Sequence, residues 1–161
     1  MMDPDIARMM INSPLGSLTV SERDGAIIAL DWHTTRPTAA TPLLRRASQQ
    51  LAEYFAGQRR VFDLPLAPQG SAFQQSVWRR MSEIPYGHVM TYGDLAKAVG
   101  SAPRAVGGAC GRNPIAIIIP CHRVVGGSGA LTGYSGGGGL HTKQFLLELE
   151  GALTPGLRIS A

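Results

Sequence analysis

The segment Asn113-Pro-Ile-Ala-Ile-Ile-Ile-Pro-Cys-His-Arg-Val-Val125 constrains this chain more than any other. Ile115 to Ile119 is an unbroken apolar run, mostly β-branched, set between two prolines. Such a run belongs in a core, and it predicts a buried strand or extended segment. Asn113-Pro114 opens it with a turn signal, and Pro120 ends it one residue before Cys121. A thiol at the end of a rigid buried segment, with the imidazole of His122 beside it, is how a nucleophilic cysteine is presented. The thiolate is the reactive species, and a positioned base or cation raises its population. The competing reading makes Cys121 a small core hydrophobe. Against it stand the polar pair His122-Arg123, which interrupts the apolar run, and the glycine-rich segment that follows.

Composition narrows the setting. The 161 residues suit one domain or two small ones, and a hydrophobic content of 44% can build a core. No apolar run is long enough to suggest a membrane span. Asp3, Pro4, Asp5 and Arg8 break up the first ten residues, which lack the apolar region of a secretory signal. Cys110 and Cys121 could pair, but free thiols in a reducing cytoplasm are favoured for a chain of this size and core. No Cys/His cluster has zinc-ligand spacing, so neither a metal nor another cofactor is expected.

Charge is unevenly spread. Residues 1–70 carry seven Lys/Arg and seven Asp/Glu, whereas residues 71–161 carry eight and four, so the net charge of +4 lies in the second half. Thirteen of the fifteen cations are Arg, the side chain suited to phosphate forks and stacking. A basic half joined to a neutral half fits nucleic-acid binding. Arg-favouring codon usage would explain the Arg excess but not the asymmetry.

In chain order, Leu15–Val20 and Ala26–Trp32 flank Arg23-Asp24-Gly25 and predict a β-hairpin with an Asp-Gly turn. Thr41 caps a helix with Pro42 at its first position, Leu43, Ala47, Leu51 and Tyr54/Phe55 form its apolar face, and Gly57 ends it. Phe62-Asp-Leu64 is expected to return as a strand, and Pro65–Gly70 to form a linker. Ser71 with Gln74 makes a capping box for a helix with Phe73, Val77 and Met81 inward. Thr91 with Asp94 opens a short helix, Gly100–Pro103 turns the chain, and a further helix runs to about Gly111. This is a helix-turn-helix pattern. Gly126–Gly139 holds eight glycines in fourteen residues, a loop either mobile or shaped for close approach to a ligand. A last helix is expected over Lys143–Glu150 with Phe145, Leu146 and Leu149 inward; Glu148 and Glu150 point to different sides, so one of them faces the site.

The second helix of the pair is unusual. After Arg104 it reads Ala105-Val-Gly-Gly-Ala-Cys110, too short in side chain to reach base edges across a major groove. Two glycines cost about 1 kcal/mol each against alanine. Close packing on the core would explain them. So would close approach of the helix backbone to a narrow minor groove, with Arg104 as its long probe.

Pro120-Cys-His-Arg-Val-Val125 resembles the active-site motif of the O6-alkylguanine-DNA alkyltransferases, the methylated-DNA–protein-cysteine methyltransferases. Phe73-Gln-Gln-Ser-Val-Trp78, Ile84-Pro-Tyr-Gly87, Thr91-Tyr-Gly-Asp-Leu-Ala96, Arg104-Ala-Val-Gly107, Arg112-Asn-Pro114 and Gly133-Tyr-Ser-Gly136 follow that family's order. The resemblance implies a small α/β N-terminal scaffold domain, RNase H-like, over residues 1–66. A mainly helical winged-helix/helix-turn-helix domain carrying DNA binding and catalysis would follow over 67–161. It implies that Cys121 accepts the alkyl group, that His122 is a base working through water, that Glu150 orients His122, and that Asn113 braces the active-site turn. Tyr92 would lie beside a flipped nucleotide, with Val124, Tyr134 and Ser135 as pocket wall and lid. Arg104 would fill the gap in the base stack, and Ala105, Gly107, Gly108 and Arg112 would complete the DNA contacts.

The function so implied is direct-reversal repair: O6-alkylguanine, and O4-alkylthymine with it, is extruded from duplex DNA and dealkylated once per protein molecule. The expected partner is double-stranded DNA gripped through its minor groove, by a cytoplasmic monomer, nucleoid-associated and open to cooperative binding when on DNA. A DNA-binding regulator or lesion sensor with a structural Cys121 is the rival. A cysteine hydrolase is disfavoured, since no oxyanion hole can be argued.

Overall fold

The computed structural model describes residues 5–38, 40–127 and 139–153. The chain divides into two units between Gln69 and Gly70.

The first unit is a three-stranded antiparallel meander of β1 (Ala7–Ser13), β2 (Gly16–Arg23) and β3 (Ala26–Asp31), with helix α1 (Pro42–Phe55) packed on β1 and β2. The β2–β3 hairpin closes through Asp24 (φ 52°) and Gly25 (φ 78°). Two consecutive left-handed residues match the twist of the strands, which is why Asp-Gly serves there. β1 escapes a pattern-based reading because Arg8 and Asn12 break its apolar run. Thr41 Oγ1 accepts from the Leu44 amide at 3.0 Å, and Pro42 follows as expected. The helix turns Leu44, Ala47, Leu51 and Tyr54 into the core, together with Gln50, so Leu44 takes the place expected of Leu43.

Gln50 explains a second departure. Its amide donates to Asp63 O at 3.1 Å and accepts from Asp63 N at 2.9 Å. Those main-chain groups are thereby satisfied without a sheet partner, and Phe62-Asp-Leu64 is not a strand. The chain returns to the sheet just afterwards. Ile27 N donates to Pro65 O and Ala67 N to Ile27 O, both at 2.8 Å, so the start of the expected linker is bound to β3.

The second unit holds helices α2 (Ala72–Ser82), α3 (Tyr92–Val99), α4 (Pro103–Gly111) and α5 (Leu140–Leu149), with a short parallel pair, β4 (Met90–Thr91) and β5 (Val124–Val125). Ser71 and Gln74 close the capping box reciprocally, at 3.1 and 2.9 Å. Thr91 Oγ1 caps α3 by accepting from Asp94 N at 3.0 Å. Gly100 ends α3 in the left-handed region (φ 70°), and Pro103 starts α4, giving the helix-turn-helix connection its tightness. Trp78 is buried under these helices and donates Nε1–H to Ala109 O at 2.9 Å, locking α2 to α4. α5 begins at Leu140, earlier than expected, and buries Thr142, Lys143, Leu146 and Leu147. Phe145 and Leu149 are half-buried instead. Among the described residues no helix is long and apolar enough to cross a membrane.

Candidate active site

Ile115 to Ile119 is buried throughout, but as a tight turn and not the strand its composition predicts. Ile119 N donates back to Ile115 O at 2.9 Å. Asn113 supplies what a neighbouring strand would have supplied: Oδ1 accepts from Ile115 N at 3.0 Å, and Nδ2 donates to Ile119 O at 2.8 Å. Ile117 stands at φ 74°, a left-handed conformation rare for a β-branched residue and costing about 1–3 kcal/mol. Dense burial and the Asn113 bridge hold it there. Past Pro120 the chain enters one 3₁₀ turn, Cys121–Arg123, with Cys121 N bonded to Ile119 O at 2.8 Å. The strained turn thus fixes where the thiol stands.

Cys121 is 8% exposed and His122 wholly buried. His122 Nε2 lies 2.8 Å from Glu150 Oε2, at the end of α5. A carboxylate can only accept, so Nε2 carries the proton and Nδ1 presents its lone pair. Nδ1 is buried and has no hydrogen-bond partner among the described residues. Burial is the main influence on both neighbours, with opposite signs. It pushes the Cys121 thiol above its ordinary value, opposed by Asn113 and by the charge of Lys143. It pushes His122 below its ordinary value, opposed by Glu150. Each is thereby held neutral, a thiol beside an imidazole base.

Glu150 is clamped from a second direction. Arg123 donates through Nε to Oε1 at 2.8 Å and through Nη2 to Oε2 at 3.0 Å, a two-point fork. Its Nη1 donates to Ile84 O at 2.7 Å, and the guanidinium lies 5.9 Å from the Tyr86 ring centroid. Tyr86 in turn donates to Leu149 O at 3.2 Å. Gly87 (φ 83°) completes this support, since a Cβ there would approach Glu150 O at 3.3 Å. Arg123 and Tyr86 were not among the expected site residues. The signal for Arg123 is a cation inside a buried apolar run, which requires a carboxylate from elsewhere in the chain.

Of the expected residues, Cys121, His122, Glu150 and Asn113 converge on one site, with Val124 buried directly after the turn. Tyr92, at the start of α3, is half-buried, and the ammonium of Lys143 lies 5.6 Å from its ring centroid. Arg104, Ala105, Gly108 and Arg112 are exposed along α4 and its end, with Gly107 half-buried. A Cβ at Gly107 or Gly108 would meet no atom of the described residues within 4 Å, so packing among those residues does not require these glycines. Tyr134 and Ser135 lie outside the described residues.

Residues 72–152 match the family model of the 6-O-methylguanine DNA methyltransferase DNA-binding domain, and residues 6–68 that of the ribonuclease-like domain of the same proteins. The chain belongs to the 6-O-methylguanine DNA methyltransferase family. Within it, the constitutive methylated-DNA–protein-cysteine methyltransferase of Bacillus subtilis is 46% identical over 151 residues, covering 86% of this chain and 91% of that one. The Methanosarcina acetivorans methylated-DNA–protein-cysteine methyltransferase is 58% identical over 110 residues, 67% of this chain and 69% of its own. The crystal structure of Mycobacterium tuberculosis O6-methylguanine methyltransferase superposes with a TM-score of 0.82 at 42% identity, covering 94% of this chain and 96% of that one. M. tuberculosis OGT in complex with DNA gives 0.80 at 44% identity, covering 91% and 93%. Its relatives in this family are thus methyltransferases, the enzyme class that the Pro120–Val125 motif implied. An N-terminal sheet unit followed by a helical DNA-binding unit is the family's arrangement as well as this chain's.

Proposed function

We propose that this protein repairs O6-alkylguanine in duplex DNA by moving the alkyl group to Cys121, once per molecule. The observation that carries this reading is the buried His122–Glu150 pair placed directly after Cys121, with His122 Nδ1 unpartnered among the described residues. His122 Nδ1 takes the thiol proton, directly or through a water, while Glu150 and Arg123 hold the ring in the required tautomer. The sulfur attacks the saturated alkyl carbon in line. An S–C bond forms, the C–O6 bond breaks, and its electron pair leaves with guanine, which takes up a proton to become neutral. A thioether offers no labile acyl carbon, so the adduct stays.

The target atom is hidden inside the duplex and its nucleotide must be extruded, at a cost of a few kcal/mol. Arg104 offsets that by filling the emptied stack. α4 supports this reading through its exposed face, where Gly107 and Gly108 let phosphate and sugar approach the helix backbone in the minor groove. Tyr92 and Val124 form the pocket wall, with Tyr134 and Ser135 as its lid. O4-alkylthymine, presenting the same kind of carbon, is a second substrate. In this reading the N-terminal unit is an RNase H-like scaffold and the second a winged helix-turn-helix domain that acts as a monomer.

The test is mass spectrometry after incubation with an O6-methylguanine duplex. A gain of one CH₂ on the Cys121 peptide, stoichiometric and without turnover, is expected. Cys121→Ala should abolish transfer and keep DNA binding, and Cys110→Ser should retain transfer. DNA binding without any adduct on the intact protein would identify a lesion sensor instead.

A further inference from the structure

The carboxylate that faces His122 belongs to the residue that caps α5, a place where helices fray unless they are tied down. The carbonyls of Leu146, Leu147 and Glu148 accept from the amides of Glu150, Ala152 and Gly151, at 3.0, 2.9 and 3.0 Å. The next carbonyl, that of Leu149, accepts from the hydroxyl of Tyr86 at 3.2 Å, 63 residues earlier in the chain. Tyr86 lies in the turn Ile84-Pro-Tyr-Gly87, where His88 N donates to Pro85 O at 3.1 Å and Gly87 stands at φ 83°. Glycine is favoured in that position of a turn. It also admits the backbone of Glu150, since a Cβ there would stand 3.3 Å from Glu150 O.

The same turn holds the side chain that grips the carboxylate. Arg123 Nη1 donates to Ile84 O at 2.7 Å, and its guanidinium lies 5.9 Å from the centroid of the Tyr86 ring. The rest of that guanidinium forks onto both carboxylate oxygens of Glu150, at 2.8 and 3.0 Å. One short turn thus locates both the backbone and the head group of Glu150. Oε2 of that head group is the atom 2.8 Å from His122 Nε2. Hydrogen bonds weaken steeply with misalignment. A carboxylate free to wander would let the imidazole proton pass to Nδ1.

We propose that Tyr86 is a positioning residue for alkyl transfer: within the Ile84–Gly87 turn it docks the end of α5 and the Arg123 guanidinium together, which keeps the proton on His122 Nε2 and the lone pair on Nδ1. Its effect on rate rests on the alkyl-transfer reading; its effect on His122 does not. The hydroxyl acts on the backbone through Leu149, and the ring lies against Arg123. A tyrosine that only filled space could become phenylalanine without consequence for the imidazole.

Tyr86→Phe keeps the ring and removes the hydroxyl bond. The first reading is ¹⁵N NMR of the His122 imidazole, assigned by its loss in His122→Gln. The full chain should show one tautomer, with the proton on Nε2. In Tyr86→Phe the two nitrogen signals should draw together as the tautomers mix. The second reading is transfer from free O6-benzylguanine at neutral pH, which should slow by about two- to tenfold, the range one side-chain hydrogen bond commands. A folded Tyr86→Phe with an unchanged His122 spectrum overturns the proposal, whatever the rate. Mixed tautomers with unslowed transfer overturn it as well. Should that variant fail to fold, the same two readings are taken on Arg123→Lys, which keeps the charge but loses the fork, and the same outcomes decide. The spectrum needs no substrate, so a chain that gave no adduct with O6-methylguanine would strike the function and leave the hold of Tyr86 on His122 to be judged by NMR.

Discussion

At the scale of single residues, burial both keeps His122 neutral and makes the fold sensitive to acid. The folded chain holds His122 below its ordinary value of 6.5, whereas the unfolded chain protonates near that value. Below it the unfolded state binds more protons, so stability is present above about pH 6.5 and falls as pH drops. The urea midpoint should therefore decline from about pH 8 to 5, by at most about 1.4 kcal/mol per pH unit for this group. His122→Gln should flatten that slope. Cys121 acts in the opposite sense. Its raised value gives stability that is present below its ordinary 9.0 and lost as pH rises through the folded value. Glu150 is the costliest residue of the site to neutralise, because two side chains depend on it. Glu150→Gln leaves the Arg123 guanidinium buried without its counter-ion, which should cost about 3–5 kcal/mol in denaturant melts.

At the scale of elements, the role proposed for α4 sets fold stability against DNA binding. Its glycines weaken the helix, and nothing within the described residues fills the space a methyl group would take. Gly108→Ala should raise the unfolding free energy by up to about 1 kcal/mol. It should also weaken DNA binding by about tenfold, equivalent to about 1.4 kcal/mol, if the helix backbone lies against sugar and phosphate. Thermal melts and fluorescence anisotropy measure the two effects separately. Gains in both would mean that DNA does not approach this face. Arg104, exposed on the first turn, is tested by comparing substrates. Arg104→Ala should slow repair in a duplex by about tenfold or more, and leave reaction with free O6-benzylguanine, which needs no extrusion, nearly unchanged. Equal losses would assign Arg104 another duty.

The whole molecule responds to salt and to its own reaction. With the net charge of +4 lying in the second half of the chain, DNA affinity should fall linearly on a log–log plot against salt, as phosphate contacts release counterions. A flat response would contradict a phosphate-binding face. Alkylation should also lower stability. Cys121 sits against a turn already strained at Ile117, and overpacking by added methylenes typically costs about 1–3 kcal/mol. Melting temperatures should fall in the order unmodified, methylated, benzylated. Methylated protein melting at or above the unmodified form would show spare room at the sulfur.

Local chemistry was legible in the sequence because its range is a few residues. The Asp24-Gly25 turn, the Thr41-Pro42 start of α1, the Ser71/Gln74 box and the Gly100 stop are each set by neighbouring groups. The Cys121-His122 pair was legible for the same reason. What pairs with what across the chain was not. The isoleucine run dictated burial, but a run of apolar residues does not specify how its backbone is satisfied, and the Asn113 amide turned an apparent strand into a turn. The face of α5 was misjudged because its periodicity is ambiguous. Tertiary structure chose the side that brings Glu150 to His122 and Arg123, and that choice carried Lys143 inward with it. Sequence determined which groups could react; only folding decided which charges would be buried together, because desolvation exists only once the surrounding elements have closed over them.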